Sequence, residues 1–155
     1  MTAEGPRAAS SQLTVVLVHG AFADGSRWSG VIRSLQAAQV HVVALANPLR
    51  GLQADAAYLA AIVNGIPGRV VLVGHAYGGM VITNIVATVS NVVGLVYIAA
   101  FAPQEGESLE EIGARFPAMP IADALVSTEV PLANASSTEL ELTIEPEAYP
   151  SIYAA

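Results

Sequence analysis

The sequence predicts an α/β protein built as a three-layer, doubly wound parallel sheet. Four short apolar runs carry this reading: Leu13-Thr14-Val15-Val16-Leu17-Val18, Val40-His41-Val42-Val43-Ala44-Leu45, Val70-Val71-Leu72-Val73 and Val92-Val93-Gly94-Leu95-Val96-Tyr97-Ile98-Ala99. They are rich in β-branched residues and their apolar positions are nearly continuous, so they read as strands covered on both faces. Segments with helical spacing separate them, and strand alternating with helix builds parallel sheets. With 155 residues, 54% of them hydrophobic, the chain is long enough for one domain with its own core.

Taken in order, residues 1–12 are small and polar with no apolar h-region, so a disordered leader is expected there and a signal peptide is not. The core is expected over 13–103. Strand 13–18 runs into His19-Gly20-Ala21-Phe22. A helix over 28–38 follows, because Trp28, Val31, Ile32 and Leu35 stand at i, i+3, i+4 and i+7, with Asp24 or Ser26 as N-cap. Strand 40–45, helix 52–63 and strand 70–73 come next. In the helix expected over 77–89, Met80, Val81, Ile85, Val86 and Val89 make one apolar face and Ile82 widens it. The strand over 92–99 carries no charge. Were it the last strand of the sheet it would be an exposed apolar edge, which natural sheets avoid. The expectation is therefore that the sheet is truncated before its last strands, or completed by another polypeptide segment.

Residues 104–155 hold ten acids and one arginine, a net charge of −9, against +2 for residues 1–103. A solvated acidic segment is expected, beginning a helical cap or lid with a helix over 105–116 and breaks at Pro117, Pro120 and Pro131.

The chemistry is concentrated in Gly74-His75-Ala76-Tyr77-Gly78. A nucleophile elbow is Gly-x-Ser-x-Gly between a strand and a helix, a sharp turn that lifts a serine oxygen above the sheet. The frame is present here, with Val70 to Val73 before it and an apolar helix after it, but alanine stands where the serine belongs. The strained central residue needs neighbours without side chains, which Gly74, Gly78 and Gly79 supply. A second turn, His19-Gly20-Ala21, lies at the end of a strand expected beside the elbow. Its backbone would place the Ala21 N–H, together with the Tyr77 N–H, where an oxyanion develops. Backbone donors survive a side-chain change, so this hole would persist although Ala76 cannot attack. His19 and Gly20 are read as structural parts of the site, His75 as a packing or surface residue inside the elbow, and His41 as opening a strand.

On these segments, with Trp28 and Tyr97-Ile98-Ala99-Ala100-Phe101-Ala102-Pro103, the chain resembles the N-terminal part of an α/β-hydrolase. The type is the small esterase and lactonase one, which also includes plant methylesterases and hydroxynitrile lyases. The likeness is closest over residues 13–103. It implies a serine, then an acid, then a C-terminal histidine, in that order. This chain has three histidines, His19, His41 and His75, and none follows the elbow. It departs from the pattern in both nucleophile and base, and a chain roughly a hundred residues longer is what the resemblance implies.

Other chemistries fall away. The chain has no cysteine and no spaced histidine ligands, so no metal and no cofactor is expected, and no phosphate loop occurs. A net charge of −7 argues against nucleic acid. The uncharged stretch from Val70 to Gln104 is divided by Gly74, Gly78, Gly79, Asn84 and Asn91, so it reads as strand, turn, helix and strand, with no membrane partner. The absence of cysteine and of a signal points to the cytoplasm. Three functions remain open: a disabled carboxylic-ester or lactone hydrolase, a pseudoenzyme that binds a small ester, lactone or other carbonyl ligand, and an assembly partner that completes its sheet with a C-terminal complementing segment or a homo-oligomer.

Overall fold

The computed structural model describes residues 12–104, 106–131 and 137–152. The leader expected over 1–12 lies, apart from Gln12, outside the described residues, as does Glu105. Two compact units divide the chain, residues 1–109 and 110–155.

In the first unit the apolar runs form four parallel strands, β1 (Leu13–Val18), β2 (His41–Leu45), β3 (Arg69–Ala76) and β4 (Val92–Ala100), in the order β2-β1-β3-β4. Register runs straight across the sheet: Val43 lies beside Val16, Val16 beside Leu72, and Leu72 beside Leu95. These side chains share one face. There, α2 (Leu52–Asn64) and α3 (Gly78–Val86) cover Val16, Leu72 and Leu95 with Ala56, Leu59, Val63, Val81, Ile82 and Ile85, whereas Val43 stays 39% exposed. On the opposite face Leu17 and Val73 pack with Trp28 and Ile32, so α1 (Ser29–Ala37) forms the third layer. Fully burying one such side chain stabilises the fold by roughly 1.5–3 kcal/mol. Helices on both faces of a parallel sheet are the doubly wound architecture read from the sequence.

The departures are local. The first helix begins as a 3-10 turn, Gly25–Trp28, because the Asp24 carboxylate accepts the Ser26 N–H at 2.7 Å and tightens the entry. The apolar stripe on α1 is only partly used: Trp28 is buried, yet Val31 is 38% exposed. Helix α3 stops at Val86 instead of 89, and Val86 itself is 39% exposed, whereas Val89 is buried beyond the helix end. The strand order puts β4 at a sheet edge, with Val93 53%, Val96 43%, Ile98 42% and Tyr97 37% exposed.

The second unit contains structure that the charge count concealed. β5 (Leu125–Pro131) and β6 (Thr138–Ile144) pair antiparallel with Leu125 opposite Ile144 and Pro131 opposite Thr138. A 3-10 turn, Pro120–Ala124, leads in, and the Ala124 carbonyl accepts the Glu145 N–H at 2.9 Å. α5 (Tyr149–Ile152) closes this unit. The helix expected over 105–116 is reduced to α4 (Leu109–Gly113), which carries a buried Ile112. Acidic side chains at Glu110 and Glu111 favour its first turn, but one apolar anchor per five residues cannot extend it. Among the described residues no helix is long and apolar enough to cross a membrane.

Candidate active site

Strand β1 leads to β2 on one side and lies against β3 on the other. The chain therefore reverses direction across the sheet between β1 and β3, and in open parallel sheets ligands bind outside the strand ends at such a switch point. Both motif turns end there. β1 delivers His19-Gly20-Ala21 and β3 delivers Gly74 to Gly78, with Val18 aligned to Gly74.

The turn after β3 is strained at its centre. Ala76 adopts φ +50°, in the left-handed region that an L-residue enters at a cost of about 1–2 kcal/mol. Tyr77 then returns to φ −57° and α3 begins at Gly78. Close approach explains the glycines. A Cβ on Gly20 would lie 2.8 Å from the Ala76 Cβ, 3.0 Å from the His75 carbonyl and 3.4 Å from the Tyr77 nitrogen. A Cβ on Gly78 would collide with the Val18 carbonyl and lie 3.1 Å from that of His19. Gly74 and Gly79 are similarly closed in by the start of α3 and by Phe101. The turn after β1 and the elbow after β3 are thus in van der Waals contact, and the Ala76 carbonyl accepts the Phe101 N–H at 3.2 Å from the end of β4.

None of the three histidines is placed to serve as a base. His19 is buried and both ring nitrogens are engaged: Nε2 accepts the Asn47 N–H at 3.0 Å, which leaves Nδ1 to carry the proton and donate to the Gly20 carbonyl at 2.9 Å. The Asn47 side chain also donates to the His19 carbonyl at 3.3 Å. His75 shares its face of the sheet with Val73 and meets Trp28 edge to face, with ring centroids 6.3 Å apart. Burial, and then the positive charge of Arg27, hold its imidazole below the usual histidine value. His41 opens β2, at the far end of the sheet from the elbow. Beside the elbow a cavity of about 140 Å³ is lined by His19, Arg27, Trp28, Val31, His75 and Ile98, and the buried indole Nε1 of Trp28 has no hydrogen-bond partner among the described residues. No cluster of three or more His, Cys, Asp or Glu among the described residues could hold a metal ion.

One group went unread in the sequence. Asp55, in the first turn of α2, is completely buried. It accepts the Arg50 N–H at 2.8 Å and the Tyr77 hydroxyl at 2.9 Å. Burial first, then the hydrogen bond to Asp55 and its charge, push the Tyr77 phenol well above its ordinary range. The signal was present in the spacing, since Asp55, Leu59 and Val63 stand at i, i+4 and i+8 on a stripe that is buried throughout. An acid on such a stripe must have a partner in the core.

Comparison with known proteins finds relatives of the chain. The model of the family described as "Alpha/beta hydrolase family" matches residues 15–152. A carbendazim hydrolyzing esterase of Nocardioides sp. (strain SG-4G) is 51% identical over 41 residues, which are 26% of this chain and 17% of that protein. Among solved structures, an extracellular alpha/beta-hydrolase from a Paenibacillus species is similar with a TM-score of 0.61 and 24% identity over 72% of this chain and 49% of its own. Tomato methylketone synthase I complexed with 2-tridecanone gives a TM-score of 0.68 and 19% identity over 90% of this chain and 59% of its own. The chain thus spans about half the length of these solved structures and a small part of the esterase.

Proposed function

This chain belongs to the alpha/beta hydrolase family, and from that premise we propose that it carries the carbonyl-binding part of a carboxylic-ester or lactone hydrolase site without the means to cleave. One observation carries the reading: the elbow is folded in its strained form, with Ala76 at φ +50°, and a methyl group stands where the attacking oxygen would be.

The chemistry follows from the parts. In an armed site of this type a serine oxygen adds to the carbonyl, a histidine takes its proton, and backbone N–H groups hold the resulting oxyanion until an alcohol leaves and water releases the acid. Ala76 has neither lone pair nor proton to contribute. His19 is committed to Asn47 and Gly20, His75 lies on the α1 face, and His41 is at the other end of its strand, so no base is at hand. Backbone donors at Ala21 and Tyr77 require no side chain, and a carbonyl oxygen accepting from them gains roughly 0.5–1.5 kcal/mol per bond. The reading is therefore a ligand-binding pseudoenzyme for small esters, lactones or ketones. That methylketone synthase I is complexed with 2-tridecanone makes a methyl ketone a sensible probe for this chain.

The test is a melting-temperature screen with short esters, lactones and methyl ketones, alongside ester turnover by Ala76→Ser. Saturable stabilisation by a carbonyl compound is expected, with no turnover above background from the serine variant because the base is still missing. A flat screen would remove the binding reading, and turnover by the single substitution would show that a base had been overlooked.

A second reading rests on a different observation. β4 is an uncharged strand at a sheet edge with four large apolar side chains exposed, the form of edge that accepts another strand. We propose that another polypeptide segment, from a complementing piece or a second copy, pairs there.

A further inference from the structure

The fully buried acid Asp55 takes no part in the chemistry described above, yet its two hydrogen bonds go to two different loops at the same end of the sheet. The Arg50 N–H belongs to the loop after β2, whose Asn47 grips His19 from both sides, and the Tyr77 hydroxyl belongs to the elbow after β3. Asp55 also donates its own N–H to the Gly51 carbonyl at 2.9 Å, fixing the start of α2 to the same loop. A strut thus runs by hydrogen bonds from His19 to Asn47, along the main chain of residues 47–50, and by hydrogen bonds again to Asp55 and Tyr77.

We propose that Asp55 is a positioning residue of the carbonyl site, the member of this strut that locks the elbow and the turn after β1 into one frame. The proposal rests on the carbonyl-binding reading for its purpose and on hydrogen bonds alone for its geometry. Tyr77 is the residue whose main-chain N–H is assigned to the ligand, and its side chain is what Asp55 holds. A side chain anchored at its far end restricts the rotation of its own peptide unit, and a donor aimed in advance loses less on binding. The Asn47 pair does the same for the neighbouring turn: with His19 Nε2 and the His19 carbonyl both held, the chain leaving β1 has one orientation. Residues 28 and 22 positions apart in sequence are joined in this way, so the strut is a property of the fold and of no local segment.

Amide hydrogen exchange by NMR on the full chain tests this in wild type, Asp55→Ala, Asp55→Asn and Tyr77→Phe, with 2-heptanone as the probe for binding. In Asp55→Ala the Asn47 amide, which does not touch residue 55, should exchange about tenfold faster or more, while the ladder amides of Val16 and Leu72 keep their rates, as local opening requires. Asp55→Asn should restore most of that protection, because its carbonyl can still accept from Arg50 and its amide can donate to the Tyr77 oxygen. The Tyr77 amide resonance should move on adding 2-heptanone to wild type, and the ketone should bind about fivefold more weakly or worse to Asp55→Ala, consistent with loss of a coupled contact. Unchanged Asn47 exchange in both Asp55→Ala and Tyr77→Phe would overturn the strut. Should Asp55→Ala fail to fold, Tyr77→Phe, which removes a single hydroxyl, decides the same point. A wild type indifferent to 2-heptanone would count against the carbonyl reading, and the exchange result would still decide the strut.

Discussion

At Ala76 the backbone holds a left-handed conformation, φ +50°, on a residue whose side chain is only a methyl group. Strain of this sort persists only when the surroundings over-determine it, and here Phe101 holds the Ala76 carbonyl while Gly20 runs so close that a Cβ on it would lie 2.8 Å from that of Ala76. The residue before it makes a separate, testable statement. His75 is held below its ordinary value of 6.5 by burial and then by Arg27, so the folded state binds fewer protons than the unfolded chain between the lowered midpoint and that value. Its contribution to stability is present above about pH 6.5 and is lost as pH falls through the folded midpoint. An imidazole NMR titration should place the His75 midpoint below that of an exposed histidine, and Arg27→Gln should move it upward; a midpoint at or above the ordinary value would contradict the packing described for Trp28 and His75. His75, Gly74 and Ala76 were legible because an elbow is a local pattern. For Asp55 the buried stripe was in the spacing but the partner was not, since Tyr77 lies 22 residues away and meets it only when α2 packs beside the elbow.

Among the elements, the four strands could be read because each is a run of apolar residues that two layers of helix must cover, and a buried strand leaves few alternatives. The hairpin β5–β6 was hidden by its charge. Glu139 and Glu141 dominate the composition of that stretch, yet Leu140, Leu142 and Ile144 alternate with them at the period of a strand. The apolar spacing overran helix α3: Val86 continues the pattern, but the helix ends there, and Val89 is buried from beyond its end. Strand β4 was expected as an uncharged edge, and the strand order leaves it as one. Val96 lies beside Val73 in register and is 43% exposed, so a lysine there costs the isolated fold little and puts a charge on the edge. Sedimentation velocity should show concentration-dependent association of the wild-type chain and its loss in Val96→Lys. A wild type that sediments as one monomeric species at every concentration would rule out pairing between copies.

For the whole molecule, two turns from neighbouring parallel strands meet at the switch point of a doubly wound sheet, and the buried Asp55 accepts the Tyr77 hydroxyl of one of them. In the proposed reading this place holds an acyl oxygen, with alanine at residue 76 and none of His19, His41 or His75 set to act as a base. Family membership follows from the fold and the match over residues 15–152, whereas the absence of hydrolysis is a claim about this chain's own residues. It can be measured with little interference, because the sequence contains no lysine whose acylation would mimic a covalent intermediate. Mixing the chain with 4-nitrophenyl acetate at comparable concentrations and following nitrophenolate release with intact mass is the most direct test. The expected result is no burst and no gain of an acetyl group. A burst approaching about one equivalent per chain, with an acetyl group retained within residues 74–78, would mean that a nucleophile does act at this elbow.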